Sequence, residues 1–389
     1  MWNFQNPVRI VFGEGSFDKV SNALLGPRYA VVTYDLPLFD ELIDRLAAKA
    51  GAPALIIRDV APNPDCVLLK KQAERFATIG KLDAIVAIGG GSVIDSAKVF
   101  AAAGGNFEAV RHFLVTGNGA NFLTAIPLIA VPTTAGTGSE VTSWATVWDE
   151  AAQKKYSLNR PNLYPTHAFV DPVLMLGKPV GLTLSTGLDA LSHSLESIWN
   201  ISANPVSARF AVSAAREILN TLPALCRNPA DLELRTCMAQ AALFAGLAFS
   251  NTKTALAHSL SYPLTLRYGI QHGIACSFSL PMILRSMADA DGLTGDALRE
   301  IFGPDLVAGA DRLATFLEQL GVSTDPRAYG ASAEVWEKLA MDAFEGERGR
   351  NFIGSRDAFM RVSQASMKHA HGRAKGANQQ TKTLVEATS

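Results

Sequence analysis

The chain has 389 residues, 48% hydrophobic and 18% charged, with 35 basic and 36 acidic side chains and a net charge of −1. That length predicts two domains, and that apolar share predicts buried cores rather than disorder. Near-neutral charge without a basic block excludes the electrostatic footprint of a nucleic-acid or anionic-membrane binder, so neither partner is expected.

The opening Met1-Trp2-Asn3-Phe4-Gln5 has neither the basic start nor the apolar core of a secretory signal. The longest apolar stretches, Phe122 to Pro132 and Ala239 to Phe249, fall short of the about 18 residues a membrane span needs. Cys66, Cys226, Cys237 and Cys276 are scattered and form no C-x-x-C. This argues against a disulfide scaffold and a cysteine-held metal, and it predicts a reducing cytoplasm. The polar tail after Gly372 is expected to fray.

In chain order, Tyr29 to Tyr34, Ala54 to Ile57, Ala84 to Ile88 and Ile126 to Val131 read as buried strands. Leu36 to Lys49 and Cys66 to Ile79 carry apolar residues at helical spacing between them. Strands alternating with helices imply an α/β domain over residues 1–180 with a parallel, Rossmann-like sheet covered on both faces, whose ligands bind at the carboxyl ends of the strands. After about residue 180 the strand signal ends. Pro205 to Leu225, Asp231 to Phe249, Arg312 to Leu320, Ala333 to Phe344 and Arg356 to Ala370 are helical patterns, so residues 181–389 are expected to form an all-α domain.

The run Gly89-Gly90-Gly91-Ser92 follows a strand and precedes a helical pattern. Three glycines permit positive φ and close approach of a ligand, and Ser92 is placed to cap the helix. The amides and dipole of such a helix start suit a diphosphate. A tight turn needing glycine for geometry alone fits the run equally well. Pro132-Thr133-Thr134-Ala135-Gly136-Thr137-Gly138-Ser139-Glu140 ends the next strand and gathers hydroxyls and glycines there. Asn63-Pro64, after the Ala54 to Ile57 strand, is a third loop at a strand's carboxyl end.

Asp189 and His193 stand four residues apart in a helical pattern, so they share one face. His258 lies in an apolar helical run, and His272 falls at the expected start of another helix. A core histidine is commonly a satisfied hydrogen-bonding group. Three of them with an aspartate tilt the reading toward one cation, and the two alternatives stay open on spacing alone. One carboxylate and three imidazoles suit Fe(II), Zn(II), Mn(II) or Co(II), and an open position beside them makes a Lewis acid. His112, His167, His369 and His371 read as surface or structural.

These residues together resemble the iron-containing (group III) alcohol dehydrogenases. The resemblance runs from Gly13-Glu-Gly-Ser16 through Pro62-Asn-Pro64, Gly89 to Asp95, Pro132 to Glu140, Asp171-Pro172 and Gly187-Leu-Asp-Ala190 to His272-Gly273. It implies a dinucleotide-binding N-terminal domain and a helical metal-binding C-terminal domain, together a metal-dependent NAD(P) alcohol dehydrogenase or aldehyde reductase, working on a small-molecule alcohol or aldehyde, as a homodimer or larger assembly. It carries the metal, Fe(II) with Zn(II) as competitor, onto Asp189, His193, His258 and His272. It carries the diphosphate onto Gly90, Gly91 and Ser92, and the rest of the cofactor onto Asn63, Pro64, Thr133, Thr134, Ser139 and Lys155.

Two positions depart from the family pattern. A proton-carrying histidine often follows the third ligand by four residues, and here Tyr262 stands there. A phenol with an unperturbed pKa of about 10 is a poorer proton carrier than imidazole at neutral pH, so Tyr262 is read as either catalytic or packing. The ribose-reading aspartate usually follows Val-Thr directly; here Tyr34 intervenes and Asp35 comes next. An Asp35 carboxylate at the ribose favours NAD over NADP, while the offset leaves NADP open.

The opening Trp2 to Arg9 resembles a branch of the family associated with phosphonate metabolism. That implies the pair 2-hydroxyethylphosphonate and phosphonoacetaldehyde. Arg267 reads as a surface charge, with contact to an anionic group as the alternative. Maleylacetate-reductase-like and glycerol-dehydrogenase-like activities are the alternatives within the class. A lyase of the dehydroquinate-synthase type shares the two-domain plan but keeps a Glu-His-His metal set, which Asp189 and three histidines do not match.

Overall fold

The computed structural model describes residues 1–152 and 154–369, with side chains given to residue 367; the tail after Gly372 and His371 lie outside the described residues. The chain divides into two compact units, one of residues 6–177 and one of residues 1–5 with the chain from Lys178 on.

The first unit contains β1 (Arg9–Phe12), β2 (Tyr29–Val32), α1 (Pro37–Ala50), β3 (Leu55–Ile57), α2 (Cys66–Glu74), β4 (Ala84–Gly89), α3 (Gly91–Ala103), α4 (Phe107–Thr116), β5 (Leu128–Pro132), β6 (Trp144–Asp149), β7 (Lys154–Asn159) and β8 (His167–Val170). Among the described residues a six-stranded sheet runs β1-β8-β5-β4-β2-β3, with every pairing parallel. Every residue of β2, β4 and β5 is buried. That explains their unbroken apolar runs, because helices cover a parallel sheet on both faces. One face packs Ile85 and Ala87 against Val93, Ala97 and Phe100, and the other packs Val86 and Ile88 against Phe39, Leu42 and Leu46.

Sequence periodicity finds β2, β3, β4 and β5 and misses β1, β8 and the antiparallel hairpin β6–β7. β1 is a partly exposed edge strand of four residues, and RIVF is too short to show a period although its Ile, Val and Phe favour a strand. β6 and β7 mix polar and apolar residues without a continuous buried run. The family-like segments Gly13 to Ser16 and Asp171-Pro172 meet here: Asp171 accepts from the Phe17 amide at 3.2 Å and caps the turn that follows it.

The second unit is helical: α5 (Val180–Ile198), α6 (Pro205–Arg227), α7 (Leu232–Thr252), α8 (Leu256–Tyr268), α9 (His272–Ser277), α10 (Leu280–Ser286), α11 (Gly292–Phe302), α12 (Leu306–Gln319), α13 (Ala333–Glu345) and α14 (Arg356–His369). Asn204 and Asp231 cap α6 and α7 through their side chains, and Pro205 stands in the first turn of α6. The Met1–Gln5 segment belongs to this unit: Phe4 stacks on Phe210, and the Gln5 amide bonds to Asn251 at 2.9 Å. Among the described residues α7 is long and apolar enough to cross a membrane by length and composition, although its uninterrupted apolar run is short. Most of it is buried against α5 and α6, the position of a core helix.

Candidate active site

The helical unit gathers His193, His258 and His272 around Asp189. The one-turn spacing on α5 sets His193 Nε2 3.6 Å from Asp189 Oδ1, while α8 and α9 bring His258 Nε2 to 3.4 Å and His272 Nε2 to 3.9 Å of the same oxygen. Two donors each about 2.1 Å from a shared cation at a tetrahedral angle stand about 3.4 Å apart, so these separations are those of ligands rather than of hydrogen bonds.

The surroundings hold the rings in place. His193 stacks on Phe249 with centroids 4.0 Å apart, and His258 stacks on His193 at 4.8 Å. Glu196, fully buried on α5, accepts from the His258 backbone amide at 3.1 Å and from its ring Nδ1. The opposite ring nitrogen, Nε2, then faces Asp189. Asp189 Oδ1 and His258 Nε2 are buried and make no hydrogen bond of acceptable geometry. Burial by itself raises the Asp189 carboxyl, but the charge of His193, with His272 and His258, holds it well below the usual carboxylate range. A carboxylate and three imidazoles buried around unsatisfied atoms fit a divalent cation.

Close helix packing makes this convergence possible. A Cβ on Gly273 would lie 1.8 Å from the Ser185 carbonyl oxygen, so the glycine beside His272 lets α9 press onto the backbone of α5. Cys276 follows His272 by one turn, fully buried, with its Sγ 3.6 Å from His272 Nε2. The sequence reading set all four cysteines apart from any metal. The structure sets the Cys276 Sγ within 4.8 Å of the donor atoms of Asp189, His258 and His272. The one-turn spacing from His272 was the available signal. Burial raises the Cys276 thiol. Tyr262, one turn past His258, is half-buried with the Arg348 guanidinium 5.9 Å over its ring. Arg267 is exposed.

The α/β unit assembles its own cluster at the carboxyl ends of β4 and β5. Gly90 is the N-cap of α3 and makes no side-chain cap, so Ser92 lies inside the first turn and is not the cap the sequence reading expected. The glycines of this turn also avoid positive φ, with Gly90 at φ −78. Their value is close approach: a Cβ on Gly91 would meet Thr137 at 2.7 Å, and one on Gly90 would sit 3.2 Å from Thr134 Oγ1. The glycine turn and the threonine loop are therefore packed on each other. The Thr133 amide donates to the Gly89 carbonyl at 3.0 Å.

Beneath the loop, Lys98 is wholly buried. Its Nζ donates to the Ser139 carbonyl (2.7 Å), Ser139 Oγ (2.9 Å), Thr142 Oγ1 (3.1 Å) and the Trp144 carbonyl (2.8 Å). Asp95, one turn earlier on α3, accepts from Ser139 Oγ at 2.6 Å and from the Thr146 amide at 2.8 Å. Burial pushes Lys98 down to about 8 and the neighbouring Glu140 up to about 7. Sequence reading passed over Asp95 and Lys98, whose i,i+3 spacing was the visible sign of a shared face.

The remaining expected cofactor residues are also placed. Asn63 is exposed with a left-handed φ of 54, and the buried Pro64 accepts from the Trp148 amide at 2.9 Å. The Lys155 ammonium lies 5.1 Å over the Trp148 ring. Asp35 is exposed just past β2. The Tyr34 hydroxyl lies 3.9 Å from where a Cβ on Gly90 would stand.

A parallel sheet with a glycine-led helix start, followed by a helical unit with an Asp-His-His-His cluster, defines a metal-dependent dehydrogenase. Residues 7–172 match the model of the iron-containing alcohol dehydrogenases, and residues 183–356 match that of the C-terminal part of the Fe-containing alcohol dehydrogenase family. The chain belongs to the iron-containing alcohol dehydrogenase family, and with it to the oxidoreductases of alcohols and aldehydes.

It is 34% identical to the NAD-dependent methanol dehydrogenase of Bacillus methanolicus, covering 89% of this chain and 94% of that protein. It is 34% identical to the phosphonoacetaldehyde reductase of Streptomyces viridochromogenes, over 74% and 78%. Its fold is similar to the crystal structure of sulfoacetaldehyde reductase from Bifidobacterium kashiwanohense in complex with NAD+, with a TM-score of 0.85, 28% identity and coverage of 95% and 99%.

Proposed function

We propose that the chain reduces a short aldehyde carrying an anionic head, phosphonoacetaldehyde to 2-hydroxyethylphosphonate, with NADH as the hydride source. The observation that carries the reading is the convergence of three imidazole nitrogens on Asp189 Oδ1 at 3.4–3.9 Å, with buried donor atoms left unsatisfied. In this reading Asp189, His193, His258 and His272 hold Fe(II), with Zn(II) as a competitor. A divalent cation there supplies Lewis acidity toward the substrate oxygen.

The chain's own residues do the rest. Gly90, Gly91 and Ser92 offer first-turn amides of α3, which no preceding carbonyl satisfies, to the cofactor diphosphate. Thr133, Thr134, Asn63, Pro64 and Lys155 contact the other cofactor parts, and Asp35 meets the adenosine ribose. Ser139 belongs to the same set by position, although its hydroxyl already serves Asp95 and Lys98. In this reading the hydroxyl of Tyr262, one turn from His258, holds a proton for the substrate oxygen.

Similarity to phosphonoacetaldehyde reductase and to sulfoacetaldehyde reductase supports an anionic aldehyde. The four free cysteines support a reducing cytoplasm, and assembly as a homodimer follows the family resemblance. The test is anaerobic loading with Fe(II), followed by oxidation of NADH and NADPH against a panel of short aldehydes that includes phosphonoacetaldehyde. We expect turnover of the phosphonate substrate with NADH, and loss of both metal and turnover in His272→Ala. Full turnover by metal-free His272→Ala would sink the metal assignment.

A further inference from the structure

We propose that Cys276 is a fifth donor of the metal centre, its sulfur bonding the same divalent cation as Asp189 and the three histidines. The proposal rests on the metal-site reading above and goes beyond the four ligands it names. Cys276 Sγ lies 3.6 Å from Nε2 of His272 and within 4.8 Å of the donor atoms of Asp189 and His258. A sulfur about 2.3 Å and a nitrogen about 2.1 Å from one cation, at the roughly 90–120° between neighbours in a five-donor site, stand about 3.1–3.8 Å apart.

The placement on the helix agrees. His272 and Cys276 are one turn apart on α9, as Asp189 and His193 are on α5, so each helix presents a pair of donors on one face. The thiol is fully buried, and the unsatisfied Asp189 Oδ1 and His258 Nε2 belong to the same group of atoms. Metal entry converts the thiol to a bound thiolate, releasing its proton to solvent.

A soft donor added to one carboxylate and three imidazoles changes which metals the site prefers. It favours Zn(II) and Co(II) over Mn(II) and Fe(II) relative to an all-O/N site. The metal-free protein, with its Cys276→Ser and Cys276→Ala variants, is titrated anaerobically with Co(II). The wild type is expected to take one cobalt per chain, with visible ligand-field bands and a near-ultraviolet thiolate-to-cobalt charge-transfer band. Both variants are expected to keep the cobalt and the ligand-field bands and to lose the charge-transfer band. Their preference for Zn(II) over Mn(II) is expected to fall by about tenfold or more.

X-ray absorption of the wild-type cobalt protein should show one sulfur neighbour, which decides the matter even if both variants misfold. Cobalt bound with no sulfur neighbour, or a charge-transfer band that survives in Cys276→Ser, overturns the fifth donor and leaves the four-ligand site standing. Failure of the wild type to bind cobalt at all overturns both readings.

Discussion

The Glu196 carboxylate accepts from both donors of His258, the backbone amide at 3.1 Å and the ring Nδ1. Tying down Nδ1 leaves Nε2 as the ring's lone-pair nitrogen and aims it at Asp189. Glu196→Ala should therefore weaken metal binding by about 10–100-fold although Glu196 is not itself a ligand in this reading. Glu196→Gln keeps an accepting oxygen and should recover part of the loss. Competition against a chelator measures both; equal affinity in wild type and Glu196→Ala would remove Glu196 from the site.

Gly273 controls whether His272 can reach the cluster. A methyl at that position would lie 1.8 Å from the Ser185 carbonyl oxygen, a rigid backbone atom that no side-chain rotation can move away. Gly273→Ala should push α9 off α5, destabilise the protein by about 1–3 kcal/mol and empty the metal site. A calorimetric melt with a metal assay on the same sample checks both. A variant that melts normally with full metal content contradicts the packing argument.

The proposed metal ligands were legible from two signals: His258 stands out as a polar residue in an apolar helical run, and Asp189 and His193 share a face at four-residue spacing. Their convergence was not legible, since it depends on α8 and α9 meeting α5 at long sequence range. The central strands β2, β4 and β5 were legible because burial on both faces leaves continuous apolar runs. The edge strand β1 and the hairpin β6–β7 lack that signature. The glycine turn was legible as a turn, but its glycines avoid positive φ, and what they admit at close range is the threonine loop. Lys98 stayed hidden because a lysine in a helix reads as a solvated charge; its burial follows from the polar cage that Ser139, Thr142 and Trp144 build around it.

Glu140 gives the α/β unit a pH signature. Burial lifts its carboxyl from the ordinary 4.5 to about 7. Between these values the folded state holds a proton that the unfolded chain has already lost, so stability falls as pH rises through the window and levels off above pH 7. The wild type should lose on the order of 2 kcal/mol relative to Glu140→Gln between about pH 5 and about pH 7.5. Parallel denaturant titrations of the two proteins read the difference directly, and curves that stay parallel across the window would refute it.

Asp35 decides between the two nicotinamide cofactors if it meets the ribose. It is exposed two residues past Thr33, and the intervening Tyr34 occupies the position nearer the glycine turn. A carboxylate there repels a 2′-phosphate and bonds a 2′-hydroxyl. Asp35→Ser should shift the ratio of kcat/KM for NADPH over NADH upward by about tenfold, or roughly 1.4 kcal/mol. Because the group is exposed, the repulsive part of that preference should shrink as salt rises. A ratio that neither moves on substitution nor responds to salt would place the ribose contact on Tyr34, and Tyr34→Phe would then carry the shift.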